Sequence, residues 1–453
     1  MRRLALLTCV ALVLSGCGGA GGGDAGEAPP ADALSDKVTI EFWHSMKGAN
    51  AEAINQLVAD FHAKFGSKIQ IKPVFQGNYD ETVAKYKAAV QQENTPALVQ
   101  IYDIGTRFMI DSKQVVPMYK FFEVDKIQPD IEPNIASYYS IDGKMWSMPF
   151  NSSTPLLYLN KEAFARAKVD VSKPPTTLDE MAALAEKLTI KDASGTVTQY
   201  GFGSATYGWL LEQLLATDNQ EYCDQGNGRK GLATKVQFDS PSAVKVATWW
   251  RDLVAKGYAT NVGRKTDDGQ AVFKSGTVAM HLESTSALRG YVEAAKQNGF
   301  SVVTAPYPKI SSASAGGPII GGASLWIDGV GHSDAEKRAA WEFAKFSVTP
   351  EAQAKWHVGT GYVAVTPKAY DLPVAQQWRA QYPQFGTAVD QLHALPPSTA
   401  SAGCILGVMP QARQASEEGL EQTILGTKPA EQAMKDAATG LSRAISQYNE
   451  SVK

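Results

Sequence analysis

The chain has 453 residues, with 43 Lys+Arg against 46 Asp+Glu, a formal net charge of −3 and 44% apolar residues. That length holds two domains of ordinary size, and the charge balance excludes the basic footprint of a nucleic-acid partner. Six histidines (His44, His62, His281, His332, His357 and His393) lie scattered, with no pair at the i, i+4 spacing of a helical zinc site. Neither a metal nor a cofactor is expected.

The first segments in chain order are targeting signals. Met1-Arg2-Arg3 is a basic start, and the apolar run from Leu4 to Leu14 falls short of the ~20 residues that a membrane-spanning helix needs. Leu14-Ser15-Gly16-Cys17 resembles the bacterial lipobox. The resemblance implies that residues 1–16 are a lipoprotein signal peptide, that Cys17 carries a lipid anchor, and that the protein is extracytoplasmic, in a periplasm or on a cell surface. Residues 17–36 are rich in Gly, Ala, Pro and Asp and poor in bulky apolar side chains, which predicts a flexible tether. Loss of Arg2 and Arg3 leaves 41 cations against 46 anions, a mature charge of about −5. Cys9 leaves with the signal, so Cys223 and Cys404 are the two cysteines besides the anchor. In an oxidising compartment they could pair, but spacing alone does not bring them within reach.

From Lys37 onward, short apolar strands alternate with amphipathic helices. Val38–Trp43 reads as a strand, and Ile54, Leu57, Val58, Phe61 and Phe65 recur at helical spacing. Lys68–Val74 alternates with period two, a helix is expected over Tyr79–Gln91, and Ala97–Tyr102 reads as the next strand. Thr177 with Glu180, and Ser333 with Glu336, read as capping boxes, and Pro350 stands at a first helical position. A helix is expected over Ser242–Val254, a strand over Phe300–Pro308, and a helical stripe of Met434, Leu441, Ile445 and Tyr448 at the end. Strands alternating with helices predict an α/β fold of two lobes that the chain crosses more than once. The expected division is 37–147 with 300–347 for the N-terminal lobe, and 148–299 with 348–453 for the C-terminal lobe.

Catalytic signatures are missing. There is no GxxxxGK[ST], no GxSxG elbow and no GxGxxG; Gly201-Phe202-Gly203 has Thr206 where the third glycine belongs. A secreted phosphodiesterase is the rival reading from another class, since triads are spatial rather than sequential.

Several stretches, in order and over nearly the whole mature chain, resemble the extracellular solute-binding proteins of bacterial ABC importers, and within that family the members that bind glycerol 3-phosphate. They are Phe42–Met46, Gly77-Asn78-Tyr79, Gln100–Thr106, Pro149–Pro155, Val262–Lys265, Ile319–Trp326, Thr360-Gly361-Tyr362 and Met409–Arg413. The resemblance implies two α/β lobes of the periplasmic-binding-protein type, hinged by crossing strands and closing on a solute. It also implies a monomer that presents its closed form to a membrane permease driven by a cytoplasmic ATPase, and it implies binding rather than catalysis. Tyr79 and Asp103 match positions at the glycerol hydroxyls, and Ser153, Ser284, Gly321, Gly322, Tyr362 and Arg413 match positions around the phosphate. A carboxylate can accept from two vicinal hydroxyls, and a guanidinium fork can bind two phosphate oxygens.

Two departures from that pattern bear on the ligand. Asp103 stands where the family member has Glu, and a ligand-stacking tryptophan of the family falls at about Thr206, with Tyr207 and Trp209 beside it as replacements. A quaternary ammonium can still find an aromatic face there, so glycerophosphocholine ranks ahead of glycerol 3-phosphate, with a sugar or oligosaccharide as the rival ligand. The residues alone also permit plainer roles. Gly321-Gly322 can be a strand bend, Ser152 and Ser153 turn formers, Tyr79 a core aromatic, and Arg413 a partner of Glu417 one turn on.

Overall fold

The computed structural model describes residues 25–453. The signal peptide, Cys17 and the first part of the tether lie outside the described residues.

Two six-stranded sheets organise the chain. In the first, Val38–His44 runs parallel to both Ile69–Phe75 and Leu98–Tyr102. Parallel neighbours need crossover connections, and the helices Ala49–Phe65 and Tyr79–Gln91 supply them. Gly321–Asp328 adds antiparallel to Leu98–Tyr102, and Met148–Ser153 and Val115–Val116 pair with it in turn. In the second sheet the order is Ala259–Asn261, Val197–Ser204, Val278–Ser284, Pro155–Asn160, Val302–Pro306, with Ile190–Lys191 against Val197–Ser204. The apolar stripe of Ala49–Phe65 buries Ile54, Leu57, Val58 and Phe61 on the first sheet beside Phe42, Leu98 and Trp341. The second sheet is covered by Leu178–Leu188, Pro241–Ala255 and Met409–Ile424, which share a core with Phe202, Leu282 and Trp250.

The chain crosses between the sheets at Thr154, again between Pro306 and Gly321, and a third time near Val363, which bridges to Ser152. These crossings differ from the expected boundaries. Met148–Ser153 belongs to the first sheet and Val302–Pro306 to the second, and the helix Pro350–Thr360 packs on Ala49–Phe65 of the first lobe. Both strands are short apolar runs, and periodicity does not encode which sheet such a run joins.

The predicted tether is also corrected. Ala25 and Ala28 are buried, Ala31–Ala33 forms a 3₁₀ turn, and Glu27 pairs with Lys120 at 2.8 Å, so residues 25–33 lie against the first lobe. Small side chains that cannot build a core of their own can still fill a groove on one. Of the two predicted capping boxes, Ser333 and Glu336 form both bonds. At the other, Thr177 caps Glu180 N–H but the Glu180 carboxylate turns to Thr176.

Cys223 and Cys404 form a disulfide, with Cα atoms 5.9 Å apart across a sequence separation of 181 residues. It ties the loop that precedes Met409–Ile424 to the second lobe. Nearby, the half-buried Arg229 donates to the carbonyls of Ser137, Tyr138 and Ser140, at the C-terminal end of Pro133–Tyr139, and to those of Ala402 and Gly403. A guanidinium held by carbonyls at a helix C-terminus is favoured by the helix dipole.

Candidate functional site

A cleft of ≈ 800 Å³ opens between the lobes. It lies where the parallel strands end at their carboxyl termini, which is where ligands bind in open α/β sheets. Asp103 follows Leu98–Tyr102, Ser284 ends Val278–Ser284, and Tyr207 comes shortly after Val197–Ser204. The first lobe also contributes Tyr79 from the start of Tyr79–Gln91, and the crossing segments contribute Ser153, Gly322 and Tyr362. From the second lobe come Tyr207, Trp209, Ser284 and, in the first turns of Met409–Ile424, Arg413. Nine of the ten residues predicted from sequence therefore line one cavity. Gly321, the tenth, stands behind Trp209: a Cβ there would lie 2.6 Å from the indole Cζ2. Gly322 has φ +99°, and a Cβ on it would meet the Asn151 carbonyl oxygen at 1.8 Å, so this position admits only glycine.

The centre of the cleft is an ion triad that crosses between the lobes. Arg413 donates from Nε to Glu212 Oε1 at 2.7 Å and from Nη2 to Glu212 Oε2 at 2.8 Å. Nη2 also faces Asp103 Oδ2 at 3.5 Å, and Nη1 donates to the Tyr207 hydroxyl at 3.2 Å. Glu212 thus takes the side-on edge of the guanidinium, and the end-on edge (Nη1 and Nη2) faces Asp103 and Tyr207. The pairing with Glu417 that the one-turn spacing allows is not the one formed. Glu417 instead accepts the Gly208 N–H at 2.8 Å. Burial works against the charge on Arg413, but Glu212, Tyr207 and Asp103 together outweigh it and hold the guanidinium protonated.

A second network positions the first-lobe wall. The Ser45 N–H donates to Gln100 Oε1 at 2.8 Å, Gln100 Nε2 to Asn151 Oδ1 at 2.7 Å, and Asn151 Nδ2 to the Tyr79 hydroxyl at 2.8 Å. The Tyr79 hydroxyl then lies 3.3 Å from that of Tyr362, and its ring stacks on Tyr102 at 5.3 Å. Tyr79 is accordingly no simple core aromatic: it lines the cleft, with its ring stacked on Tyr102 and its hydroxyl held by Asn151 and Tyr362.

Three carboxyls here resist ionisation because they are buried. Burial raises Asp103 to about 6, against the pull of Arg413. It raises Glu283 and Glu417 to about 7 each. At the rim, Lys47 of the first lobe pairs with Asp267 of the second at 2.8 Å, both side chains well exposed. Arg264 is engaged by Glu421 and Glu418.

Glu212, which clamps Arg413, is the candidate-site residue that sequence reasoning missed. It lies in Trp209-Leu210-Leu211-Glu212-Gln213-Leu214-Leu215, every residue of which is buried. A lone acid in a stretch that is apolar but for Gln213 is almost never fully buried without a partner, and that signal could have found it. Asp80, Lys47, Asp267 and Glu283 also line the cleft, but nothing local distinguishes them from other surface charges. No group of three or more His, Cys, Asp or Glu among the described residues is placed to hold a metal ion.

Two hinged α/β lobes around a polar, aromatic-walled cleft define a solute-binding protein. The family model for bacterial extracellular solute-binding proteins matches residues 56–387, and the chain belongs to that family. It is 35% identical over 420 residues to the sn-glycerol-3-phosphate-binding periplasmic protein UgpB of Pectobacterium atrosepticum, covering 91% of this chain and 93% of that one. It is also 35% identical over 421 residues to UgpB of Escherichia coli K12, covering 92% and 94%. Among solved structures, UgpB of Mycobacterium tuberculosis in complex with glycerophosphocholine superposes with a TM-score of 0.75 at 22% identity, over 91% of this chain and 99% of that one. The GacH receptor of Streptomyces glaucescens, known unliganded and with acarbose, superposes with 0.74 at 19% identity, over 90% and 99%. At those identities the likeness to solved structures concerns the fold. The UgpB relatives are periplasmic binding proteins, and no helix among the described residues is long and apolar enough to cross a membrane.

Proposed function

We propose that this chain captures glycerophosphate compounds, glycerophosphocholine ahead of glycerol 3-phosphate, and delivers them to an ABC permease without converting them. The observation that carries this reading is the clamped Arg413. With its side-on edge fixed by Glu212, the guanidinium turns its Nη1–Nη2 edge to Tyr207 and Asp103 in the cleft wall, an edge suited to two phosphate oxygens once those contacts yield. The 3.5 Å contact of Nη2 to Asp103 is at the limit of a hydrogen bond and yields readily. Asp103, freed from it, accepts vicinal hydroxyls beside Tyr79, while Ser153, Ser284 and Tyr362 donate to the phosphate. Trp209 Nε1, buried and without an acceptor among the described residues, is a further donor.

The charge balance supports the diester. Asp80, Asp103, Asp267, Glu283 and Glu417 line the cleft against Lys47, Arg264, Lys265 and Arg413, and three of those cations already face carboxylates. Such a cavity suits a monoanionic phosphate with a cationic end better than a dianionic monoester. In this reading the protein is a monomer anchored to a membrane through lipid on Cys17, and closure is a hinge motion at the crossings, favoured by contacts of the solute with both lobes.

A second reading, an oligosaccharide-binding subunit, draws support from one observation. Glu212 already neutralises Arg413, and tyrosines with a tryptophan form the walls, as a neutral sugar would need. Calorimetric titration of the chain lacking residues 1–17 separates the two. One-to-one binding of glycerophosphocholine at micromolar concentration or tighter, with the ligand recovered intact, is the expected result. No heat with this diester or with glycerol 3-phosphate would overturn the assignment and favour the sugar.

A further inference from the structure

The segment ahead of Lys37 is not shaped like a tether. Ala25 and Ala28 are buried on the first lobe, and the Glu27 carboxylate reaches Lys120 at 2.8 Å. The Pro29 carbonyl accepts from Arg338 Nη1 at 3.4 Å. Arg338 is itself locked, nearly fully buried, by Asp125 at 2.6 and 2.9 Å and by Glu342. The groove is fitted to the segment: a Cβ on Gly329 would lie 2.1 Å from the Ala25 carbonyl oxygen, so a glycine is what lets the backbones meet. Gly26 takes φ +75°, which turns the chain at that point and which L side chains rarely adopt.

Covalent reach then has a consequence. Residues 18–24 are the only ones between Cys17 and the docked Ala25, and eight extended steps span at most about 29 Å. A chain free as far as Lys37 would reach about 70 Å by the same measure. We propose that residues 25–33 are a docked strap that holds the first lobe within about 29 Å of the membrane, with its Gly329 face turned toward the bilayer, so that the second lobe is the one that swings on closure. The inference rests on the lipid anchor at Cys17.

The test uses the full lipidated chain on vesicles of phosphatidylethanolamine and phosphatidylglycerol. A fluorophore on Lys113→Cys, an exposed position beside Gln114, whose carbonyl takes the Gly329 N–H at 2.8 Å, reports energy transfer to labelled lipid. Ala28→Asp puts a carboxylate into the groove and should release the strap. Transfer is expected to fall at least two-fold, and cleavage after Glu27 by a glutamate-specific protease to quicken at least ten-fold, with ligand affinity unchanged. Gly329→Ala should move both readouts the same way and guards against a fault peculiar to Ala28→Asp. Equal transfer with and without the substitutions, or rapid cleavage after Glu27 in the parent chain, would overturn the strap. A parent chain that fails to float with vesicles would overturn the anchor and the proposal together, whereas a floating chain with unchanged transfer would overturn the proposal alone.

Discussion

Among the described residues, a buried ion triad at the floor of the cleft and an exposed ion pair at its rim both join the lobes, and they differ in almost every physical respect. At the floor, Asp103, Arg413 and Glu212 are each at most 6% exposed in their side chains, and the guanidinium is bidentate on Glu212. At the rim, Lys47 and Asp267 are 68% and 65% exposed around a single ammonium. A buried, forked pair is costly to break, because removing one member strands the other without solvent. An exposed pair between flexible side chains is worth between nothing and about 1 kcal/mol. In the proposed function the floor therefore carries the specificity, and the rim pair is a weak latch.

The largest test of that contrast is Arg413→Ala. It should abolish measurable glycerophosphate binding, a loss of at least a hundred-fold in calorimetric affinity. It should also destabilise the chain by about 3–5 kcal/mol, because Glu212 is left buried and unpaired. The double variant Arg413→Met with Glu212→Gln should recover most of the stability and none of the binding. Recovery of binding in the double variant would show that the guanidinium does not touch the ligand.

Asp103 comes next. Its carboxyl titrates near 6 because it is buried, and accepting two hydroxyls requires the ionised form. Affinity should thus rise roughly ten-fold between pH 5 and pH 7, and Asp103→Asn should bind weakly with no such rise. The stability of the empty protein moves the opposite way. A folded pKa raised above the unfolded value means that stability is full below about pH 4 and declines as pH rises through 6. A pH-independent affinity in the parent chain would remove Asp103 from the ligand contacts.

Glu283 sharpens the same point without touching the triad. Burial raises it to about 7, so ionising it in the folded state costs on the order of 3 kcal/mol. That cost appears as pH rises from about 4.5 through 7. Glu283→Gln can still accept the Ser284 N–H, which the carboxylate now takes at 2.7 Å. It should raise Tm by a few degrees at pH 8 and leave it unchanged at pH 5. Equal shifts at both values would mean that Glu283 is not buried in its charged form.

How much of this was legible in the sequence follows the same division between local and non-local information. Tyr79, Asp103, Ser284 and Arg413 stand just past strand ends or in first helical turns, where short-range pattern and resemblance to relatives both point. The Asn78–Glu81 capping box that positions Tyr79 was equally available in the sequence and went unread. The partner of Arg413 was not legible, because the spacing offers only Glu417 one turn on, while Glu212 lies 201 residues away and is brought in by packing of the two helices. Sheet membership of Met148–Ser153 and Val302–Pro306, the Cys223–Cys404 bond and the docking of residues 25–33 are likewise tertiary facts. In each case the local sequence, whether an apolar run, a cysteine or an alanine-proline stretch, is compatible with more than one partner.

The smallest expected effect belongs to the rim. Lys47→Ala removes a pair at 2.8 Å whose members are mostly solvated, so equilibrium affinity should change by no more than about three-fold. Because the pair joins the two lobes across the mouth, the change should fall on ligand dissociation and should vanish at high salt, where exposed charges are screened over a few ångströms. Stopped-flow release rates at low and high ionic strength measure this directly. A loss of affinity comparable to that of Arg413→Ala, persisting in salt, would mean that Lys47 reaches the ligand itself, and the distinction between a specific floor and a weak rim would fail.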